Sequence, residues 1–219
     1  MNKAVASLPE EEQAEFYACH EHREPHETSN DAQRNLFILR SNAYMLPSGR
    51  SAMFPRLARV NHSCRPNAAH LWNPAARGDR VDWVAARDIE AGEEITVTYV
   101  NLLMTAAERQ QRLAQYGFTC DCAACVDQGE TDSRRARMGV LLLTLNENPE
   151  GRGNDGIAAL GENLQLLRWA EELVQMLEEG ALVDYLPQAY GYAGKLSSVL
   201  GDDEAAMDWR RKEAEILSI

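Results

Sequence analysis

One polar stretch decides the fold of this chain: Arg59-Val60-Asn61-His62-Ser63-Cys64-Arg65-Pro66-Asn67. It places an amide, an imidazole, a thiol and a second amide close together, beside a proline. Such a run is too polar for a hydrophobic core and too dense in hydrogen-bonding and metal-ligand groups for an ordinary loop. We therefore predict that the stretch helps to build a binding site.

Two downstream segments are its apparent partners. They are Gly92-Glu93-Glu94-Ile95-Thr96-Val97-Thr98-Tyr99 and Cys120-Asp121-Cys122-Ala123-Ala124-Cys125. Clustered cysteines in a chain without an export signal are more typical of metal binding than of disulfides. We predict that the three segments meet in space around one zinc ion and one cofactor pocket.

The cysteine cluster lacks one ligand for a structural zinc site. Such a site takes four ligands in a tetrahedron, and Cys120, Cys122 and Cys125 supply three thiolates. The other cysteines are Cys64, in the polar stretch, and Cys19, on the apolar side of a predicted helix, where a thiol acts as a small hydrophobic group. We assign the fourth ligand to Cys64, which leaves the metal no open position for catalysis. The plainer interpretation is a set of reduced, unligated thiols.

Composition places the chain among ordinary globular proteins. Its 219 residues suffice for one good-sized domain and a smaller one, with 45% hydrophobic and 7% aromatic residues. No apolar run approaches the ~20 residues that a transmembrane helix needs, and the N-terminus has no apolar signal-like core. We expect a monomer in the nucleus or cytoplasm, without membrane contact.

The chain is strongly acidic. Its formal net charge of −12 disfavours direct nucleic-acid binding, which needs a basic surface. Acidic residues outnumber basic ones most clearly from Asp127 onward. This pattern favours basic partners such as Lys- and Arg-rich peptides, although a solvated acidic helical surface explains it as well.

Local patterns predict a mixed part followed by a helical part. Helices are predicted over residues 8–20, 31–45 (capped by Asp31) and 105–116, where Thr105 and Glu108 can form a capping box. Short strands are predicted over residues 68–72, 81–86 and 94–97, with turns at Asn73-Pro74 and Gly78-Asp79. From residue 131 only helices are predicted, over residues 131–146, 156–179, 183–200 and 202–217, with Gly180 and Gly201 as stops. The pattern indicates an α+β protein.

Three motifs follow one another in a recognisable order: Asn61-His62-Ser63-Cys64-x-Pro66-Asn67, Gly92-Glu93-Glu94-Ile95-x-x-x-Tyr99 and Cys120-x-Cys122-x-x-Cys125. Together they resemble the SET-domain protein lysine methyltransferases, above all the branch that joins a SET core to a MYND finger and a helical C-terminal domain. The likeness is strong over residues 36–126. It implies an α+β fold with a β-rich SET-like core, a pseudoknot, a post-SET zinc clip and an all-α tail. We place a helical insert-like segment at 1–35, the SET core at 36–116, the post-SET segment at 117–127 and the helical domain at 128–219.

The resemblance also implies roles for single residues. Asn61 and His62 would hold S-adenosylmethionine through its amino acid part and adenine, and Asn42 would also reach this cofactor. The Tyr99 hydroxyl would lie beside the transferring methyl group, and Phe118 would cover the adenine. Plainer alternatives are a core tyrosine at position 99 and a structural histidine at position 62.

Three polar residues of these motifs, Glu93, Glu94 and Asn67, have simple structural explanations. Glu93 and Glu94 follow a turn glycine and are expected to be solvated, or one of them pairs with an arginine inside the core. Asn67 is expected to cap the turn after Pro66.

The implied reaction moves a methyl group to a lysine amine of a protein substrate, a histone or another protein with a basic segment. The amine must be neutral to attack, yet free lysine titrates near ~10.4. A narrow apolar channel helps because it disfavours the charged form. Alignment of the reacting groups then supplies much of the rate.

Part of the family pattern is missing. No Gly-x-Gly-like element that would bind the methionine end of the cofactor precedes Leu36, and no MYND finger is recognisable. We therefore expect the first SET strands to be absent from this sequence. The alternative function is a truncated, catalytically silent SET-like module that binds a basic partner. Intact Asn61-His62 and Tyr99 favour the enzyme, whereas the missing strand favours the silent module.

Overall fold

The computed structural model describes residues 2–27, 30–46, 48–72, 81–151 and 156–217. The helices are α1 (Asn2–Ala6), α2 (Glu10–Tyr17), α3 (Asp31–Asn42), α4 (Ala106–Leu113), α5 (Ala123–Val126), α6 (Gln128–Glu147), α7 (Ile157–Glu179), α8 (Leu186–Val199) and α9 (Asp203–Leu217). The strands are β1 (Ala43–Met45), β2 (Ser51–Met53), β3 (Asn61–His62), β4 (Ala68–Trp72), β5 (Val81–Ala85) and β6 (Thr96–Val97). Short 3-10 turns lie at Leu57–Arg59, Ala114–Tyr116 and Val183–Tyr185. The α+β prediction is confirmed.

Over these ranges the strands form three two-stranded pairs. β1 pairs with β2 and β4 with β5, both antiparallel, whereas β3 and β6 run parallel. In the parallel pair Asn61 lies opposite Thr96 and His62 opposite Val97. This pairing brings the polar stretch alongside the segment that ends in Tyr99, as the sequence predicts.

Strand predictions succeed where the strand is long enough to show a pattern. The strand over 68–72 has the predicted bounds, and that over 81–86 ends one residue earlier, at Ala85. The prediction over 94–97 is half wrong, since only Thr96–Val97 is a strand. β1, β2 and β3 were not predicted, because two or three residues are too few for an alternating pattern to emerge. The predicted turns within 73–80 lie outside the described residues, as does Pro47.

The N-terminal helices are shorter than predicted. The first ends at Tyr17, and the second ends at Asn42 because the chain turns into β1. Its cap is Asn30 rather than Asp31. The Asn30 side chain accepts a hydrogen bond from the backbone N–H of Gln33, and the Gln33 side chain accepts one from the backbone N–H of Asn30. The capping box of Thr105 and Glu108 at α4 is confirmed.

The four long helices α6 to α9 pack in sequence order around a leucine core. Leu141, Leu145, Leu173 and Leu177 are almost completely buried there, and each contributes about 1.5–3 kcal/mol of burial free energy. The same apolar cluster continues through Cys64, Leu102 and Leu113 of the mixed part. No helix of the described ranges has the length and apolar character needed to cross a membrane.

The end of α7 differs from the prediction. Gly180 has φ −85°, and the left-handed residue is Ala181, at φ 51°. The N–H of Ala181 bonds the carbonyl of Glu178, and the N–H of Leu182 that of Leu177, which is the Schellman arrangement. Space at position 180 is tight, since an added Cβ would lie 3.2 Å from the Met176 carbonyl oxygen.

Candidate active site and metal centre

The four predicted metal ligands come together. The Sγ atoms of Cys64, Cys120, Cys122 and Cys125 all lie within 4.8 Å of one another, and those of Cys64 and Cys125 are 3.6 Å apart. A tetrahedron with zinc–sulfur bonds of about 2.3 Å has edges of about 3.8 Å. Cys19 lies elsewhere, against the small apolar cluster of Val5, Phe16 and Ile38. The four-cysteine cluster is therefore compatible with zinc.

Two buried arginines flank this cluster. Arg109 of α4 is 0% exposed, and its Nε lies 3.2 Å from Cys64 Sγ, with Nη2 3.9 Å from Cys125 Sγ. Arg135 of α6 is 4% exposed and donates to the carbonyl oxygens of Cys64 and Leu102, both at 2.5 Å. Burying two cations is costly unless nearby charge compensates them.

A zinc ion with four thiolates supplies that compensation. Four negative sulfurs and one divalent cation leave a net charge of about −2, which two guanidinium groups balance. Neutral thiols would leave the arginines with mainly backbone carbonyls and the carboxylate of Asp132, 3.6 Å from Arg109. Hydrogen bonding from Cys64 already lowers the pKa of Cys122, and the same pairing raises that of Cys64. The donor set and its surroundings fit a zinc tetrathiolate.

His62 connects the cluster to the second motif. Its Nδ1 accepts a hydrogen bond from the backbone N–H of Tyr99 at 3.0 Å, and its Nε2 lies 3.2 Å from Cys64 Sγ. Because Nδ1 is an acceptor, the ring proton is assigned to Nε2 and points to the sulfur. Burial lowers the pKa of His62 to about 4, so the ring is neutral near pH 7. Its side chain links the Tyr99 backbone to the Cys64 sulfur.

Tyr99 lies directly beside this link. Its hydroxyl donates to the carbonyl oxygen of Val60 at 2.5 Å, and its ring centroid lies 5.3 Å from that of His62 and 4.9 Å from that of Tyr116. Burial raises the pKa of Tyr99, which keeps the hydroxyl protonated. The side chain is half-buried and lines a cleft, while its hydroxyl is already satisfied by the Val60 carbonyl.

Asn67 has a larger role than the predicted turn cap. It is 1% exposed, donates to Glu93 Oε1 and to the carbonyl of Glu94, both at 2.9 Å, and accepts from the N–H of Thr96 at 2.8 Å. The prediction was wrong because this side chain replaces strand hydrogen bonds, and so fixes residues 93–96 beside the polar stretch. Glu93 also pairs with Arg87, on the surface and not inside the core.

The other predicted site residues lie around the same centre. Asn61 is exposed and donates to Glu94 Oε1 at 2.6 Å. Asn42 is 7% exposed, and its amide nitrogen donates to the carbonyls of His20 and Ile38 at 2.7 and 2.6 Å. Phe118 is partly exposed, with its ring centroid 6.1 Å from that of His62 and 6.4 Å from that of Tyr99.

A cleft of about 470 Å³ opens between the mixed part and the helical part. Asn42 and Tyr99 line it together with residues that the sequence analysis did not select: Tyr44, His70, Tyr116, Asp184 and Tyr185. Burial raises the pKa of Tyr44 and of Tyr185 to about 12. Two of these residues could have been selected from the sequence, because Tyr44 lies close to Asn42 and Tyr116 directly precedes Gly117-Phe118. Nothing local distinguishes the residues of the Val183–Tyr185 turn.

Known proteins resemble this chain over part of its length. A family model described as "SET domain" matches residues 4–100. Residues 4–100 are thus similar to a SET domain. The histone-lysine N-methyltransferase set5 of Schizosaccharomyces pombe is 34% identical over 189 residues, 82% of this chain and 54% of that protein.

Other SET-domain relatives match shorter regions. The human histone-lysine N-methyltransferase SMYD3 is 43% identical over 77 residues, 35% of this chain and 17% of that protein. The Gallus gallus N-lysine methyltransferase SMYD2 is 41% identical over 100 residues, 45% of this chain and 21% of that protein. The chain thus spans about half the length of set5 and less of the other two. The SET match begins well upstream of residue 36, while the domain limits at 35, 116 and 127 stay predictions.

Proposed function

We propose that the chain is an S-adenosylmethionine-dependent protein-lysine N-methyltransferase. The observation that carries the proposal is the assembly around His62, whose ring links the Tyr99 backbone to Cys64 of the four-cysteine cluster at the edge of an aromatic cleft. Relatives named histone-lysine or N-lysine methyltransferases share the SET domain.

On the cofactor side we assign Asn61, His62, Asn42 and Phe118. S-adenosylmethionine would supply a methyl group carried on a sulfonium. Phe118 offers a partly exposed ring near His62 for stacking on an adenine. Both ring nitrogens of His62 are engaged within the protein, so its contribution to binding falls to its backbone. Asn42 is fixed by its two backbone carbonyl partners, which orient it at the cleft.

On the lysine side we assign the aromatic cleft. Tyr44, Tyr99 and Tyr116 line it and displace water, and this loss of hydration disfavours an ammonium ion and thereby favours loss of the lysine proton to solvent. The Tyr99 hydroxyl donates to Val60, so its oxygen lone pairs remain to accept polarised C–H groups of a methyl donor. Holding the hydroxyl in place in advance contributes through alignment.

For the metal we propose one structural zinc ion bound by Cys64, Cys120, Cys122 and Cys125. It would clip residues 117–125 onto residues 61–67 and hold Phe118 over the site. The net charge of −12 suits a protein substrate with a basic, lysine-containing segment, histone or other. We place the protein in the nucleus or cytoplasm as a monomer that binds neither nucleic acid nor membrane.

The test combines binding and transfer. The purified chain is titrated calorimetrically with S-adenosylmethionine, then incubated with core histones and the cofactor, and methylated lysines are identified by mass spectrometry. We expect micromolar binding and lysine methylation, with transfer abolished in Tyr99→Phe at unchanged zinc content. Absence of both binding heat at high micromolar cofactor and methylation would reject the enzyme in favour of the silent module.

A further inference from the structure

Asp184 brings a carboxyl group into the cleft from the helical part of the chain. It belongs to the Val183–Tyr185 turn, and its Oδ1 lies 3.5 Å from Nδ1 of His70 on β4. The two side chains are 15% and 26% exposed, and both line the cleft with Tyr44 and Tyr99. Among the described residues that line this cleft, Asp184 is the one carboxyl group, and none is a lysine or arginine.

The turn that carries Asp184 is firmly anchored. The hydroxyl of Tyr185 accepts a hydrogen bond from the backbone N–H of Leu102 at 2.9 Å and donates to Asn101 Oδ1 at 3.0 Å. Val183 packs against the apolar cluster of Ala69, Leu71 and Val84 under β4 and β5. The carboxyl group is thus held in one place before any ligand arrives, which is what a recognition group requires.

The surroundings of the Asp184 carboxyl group favour the binding of a cation. Burial raises the pKa of Asp184, because the aromatic cleft disfavours a negative charge. A cationic side chain that entered the cleft would reverse this penalty by favouring the ionised carboxylate. A charge-assisted contact of this kind is stronger than a neutral hydrogen bond.

The cation is not the lysine that receives the methyl group. A carboxylate beside that lysine would stabilise its ammonium form, whereas transfer requires the neutral amine. Because Tyr99 is the proposed transfer residue, Asp184 is assigned to a second side chain of the same peptide.

We propose that Asp184, oriented by His70, forms a specificity subsite that binds an arginine or lysine flanking the target lysine of the substrate. The inference rests on the proposed methyltransferase function and adds the substrate class: peptides with a second basic residue near the modified lysine. The helical part thereby takes part in substrate selection.

The test uses synthetic lysine peptides in which one arginine is scanned across positions on both sides of the lysine. Each peptide has a twin with citrulline, which keeps the shape and removes the charge. We expect one arginine position to lower KM by roughly tenfold relative to its twin, with kcat similar, because a hydrogen bond to a charged group is stronger than one to a neutral group. Equal KM values across all pairs would overturn the proposal.

Variants assign the effect to the subsite. Asp184→Asn should raise KM for the preferred arginine peptide about tenfold, leaving kcat and the citrulline twin unchanged, whereas Glu147→Gln removes an exposed charge outside the cleft and should change neither. An equal loss on both twins would mark Asp184 as merely structural and reject the subsite. Fluorescence anisotropy of the labelled twins on the wild-type chain tests charge selectivity even without methylation, so failure of the subsite and failure of the proposed enzyme are separable.

Discussion

The Nδ1 atom of His62 accepts a hydrogen bond from the backbone N–H of Tyr99 at 3.0 Å, while Nε2 of the same ring lies 3.2 Å from the sulfur of Cys64. One neutral ring therefore joins the proposed methyl-transfer residue to the proposed metal centre. Removing the ring would leave the backbone N–H of Tyr99 without a partner, and an unpaired buried N–H costs about 1–3 kcal/mol.

The first prediction concerns the protonation of His62. Its pKa is lowered to about 4 in the folded chain from 6.5 in the unfolded chain. As pH falls below 6.5, His62 binds a proton in the unfolded chain but not in the folded chain. Stability that is present above pH 6.5 is therefore lost progressively toward pH 4. His62→Asn keeps an acceptor near the position of Nδ1 but cannot titrate.

Thermal unfolding between pH 7 and pH 5 checks this. The melting temperature of the wild type should fall more steeply than that of His62→Asn. The variant is the control, because protonation of the cysteine thiolates at low pH would destabilise both proteins alike. Parallel curves would mean that His62 already carries its proton in the folded chain.

The second prediction separates the five cysteines. Cys64→Ser removes one of four clustered sulfurs, whereas Cys19→Ser alters a thiol that packs against Val5, Phe16 and Ile38 and donates to the Glu15 carbonyl. We expect about one zinc per chain in the wild type and in Cys19→Ser, measured by plasma emission spectrometry, and a large loss in Cys64→Ser. Chelation should lower the melting temperature of the first two only. Full zinc content in Cys64→Ser would show that the fourth ligand is another group.

The sequence indicates this centre well because its signals are local. The spacing of Cys120, Cys122 and Cys125, the capping box of Thr105 and the alternating strand over 68–72 are each visible within a few residues. The features that the sequence does not predict depend on contacts between distant segments. Asn67 replaces a strand ladder with its side chain, and Asp184 reaches the cleft only because a short turn docks on β4. No periodicity encodes either relationship.

The third prediction concerns the end of α7, where Ala181 adopts φ 51°. An alanine in the left-handed region costs roughly 1–2 kcal/mol, part of which glycine recovers after its larger loss of chain entropy. We expect Ala181→Gly to raise the free energy of unfolding by about 0.5–1 kcal/mol in urea titration. The neighbouring Gly180→Ala is the control, because residue 180 has φ −85° and a change there tests the tight space beside the Met176 carbonyl, 3.2 Å from an added Cβ, and not left-handed strain. A loss of stability in Ala181→Gly would contradict the assignment of the left-handed position to residue 181.

The last prediction concerns the charge balance around the four sulfurs. Arg109 is completely buried, contacts Cys64 and Cys125, and neutralises part of the charge that a zinc tetrathiolate would carry. Arg109→Met keeps much of the volume but leaves that charge uncompensated, and removing one partner of a buried pair costs about 3–5 kcal/mol. Zinc affinity, measured by competition with a chromophoric chelator, should fall at least a hundredfold.

Arg112→Met is the matched control, because this arginine lies on the same helix α4 and is exposed to solvent. It should bind zinc as tightly as the wild type. The zinc affinity of Arg109→Lys should lie between those of Arg109→Met and Arg112→Met. An ammonium group restores the charge but not the forked contacts of the guanidinium to the Cys64 sulfur and the carbonyls of Met104 and Ala124. If Arg109→Met binds zinc with undiminished affinity, the sulfurs are not all ionised, and the argument that two buried guanidinium groups require a tetrathiolate centre fails.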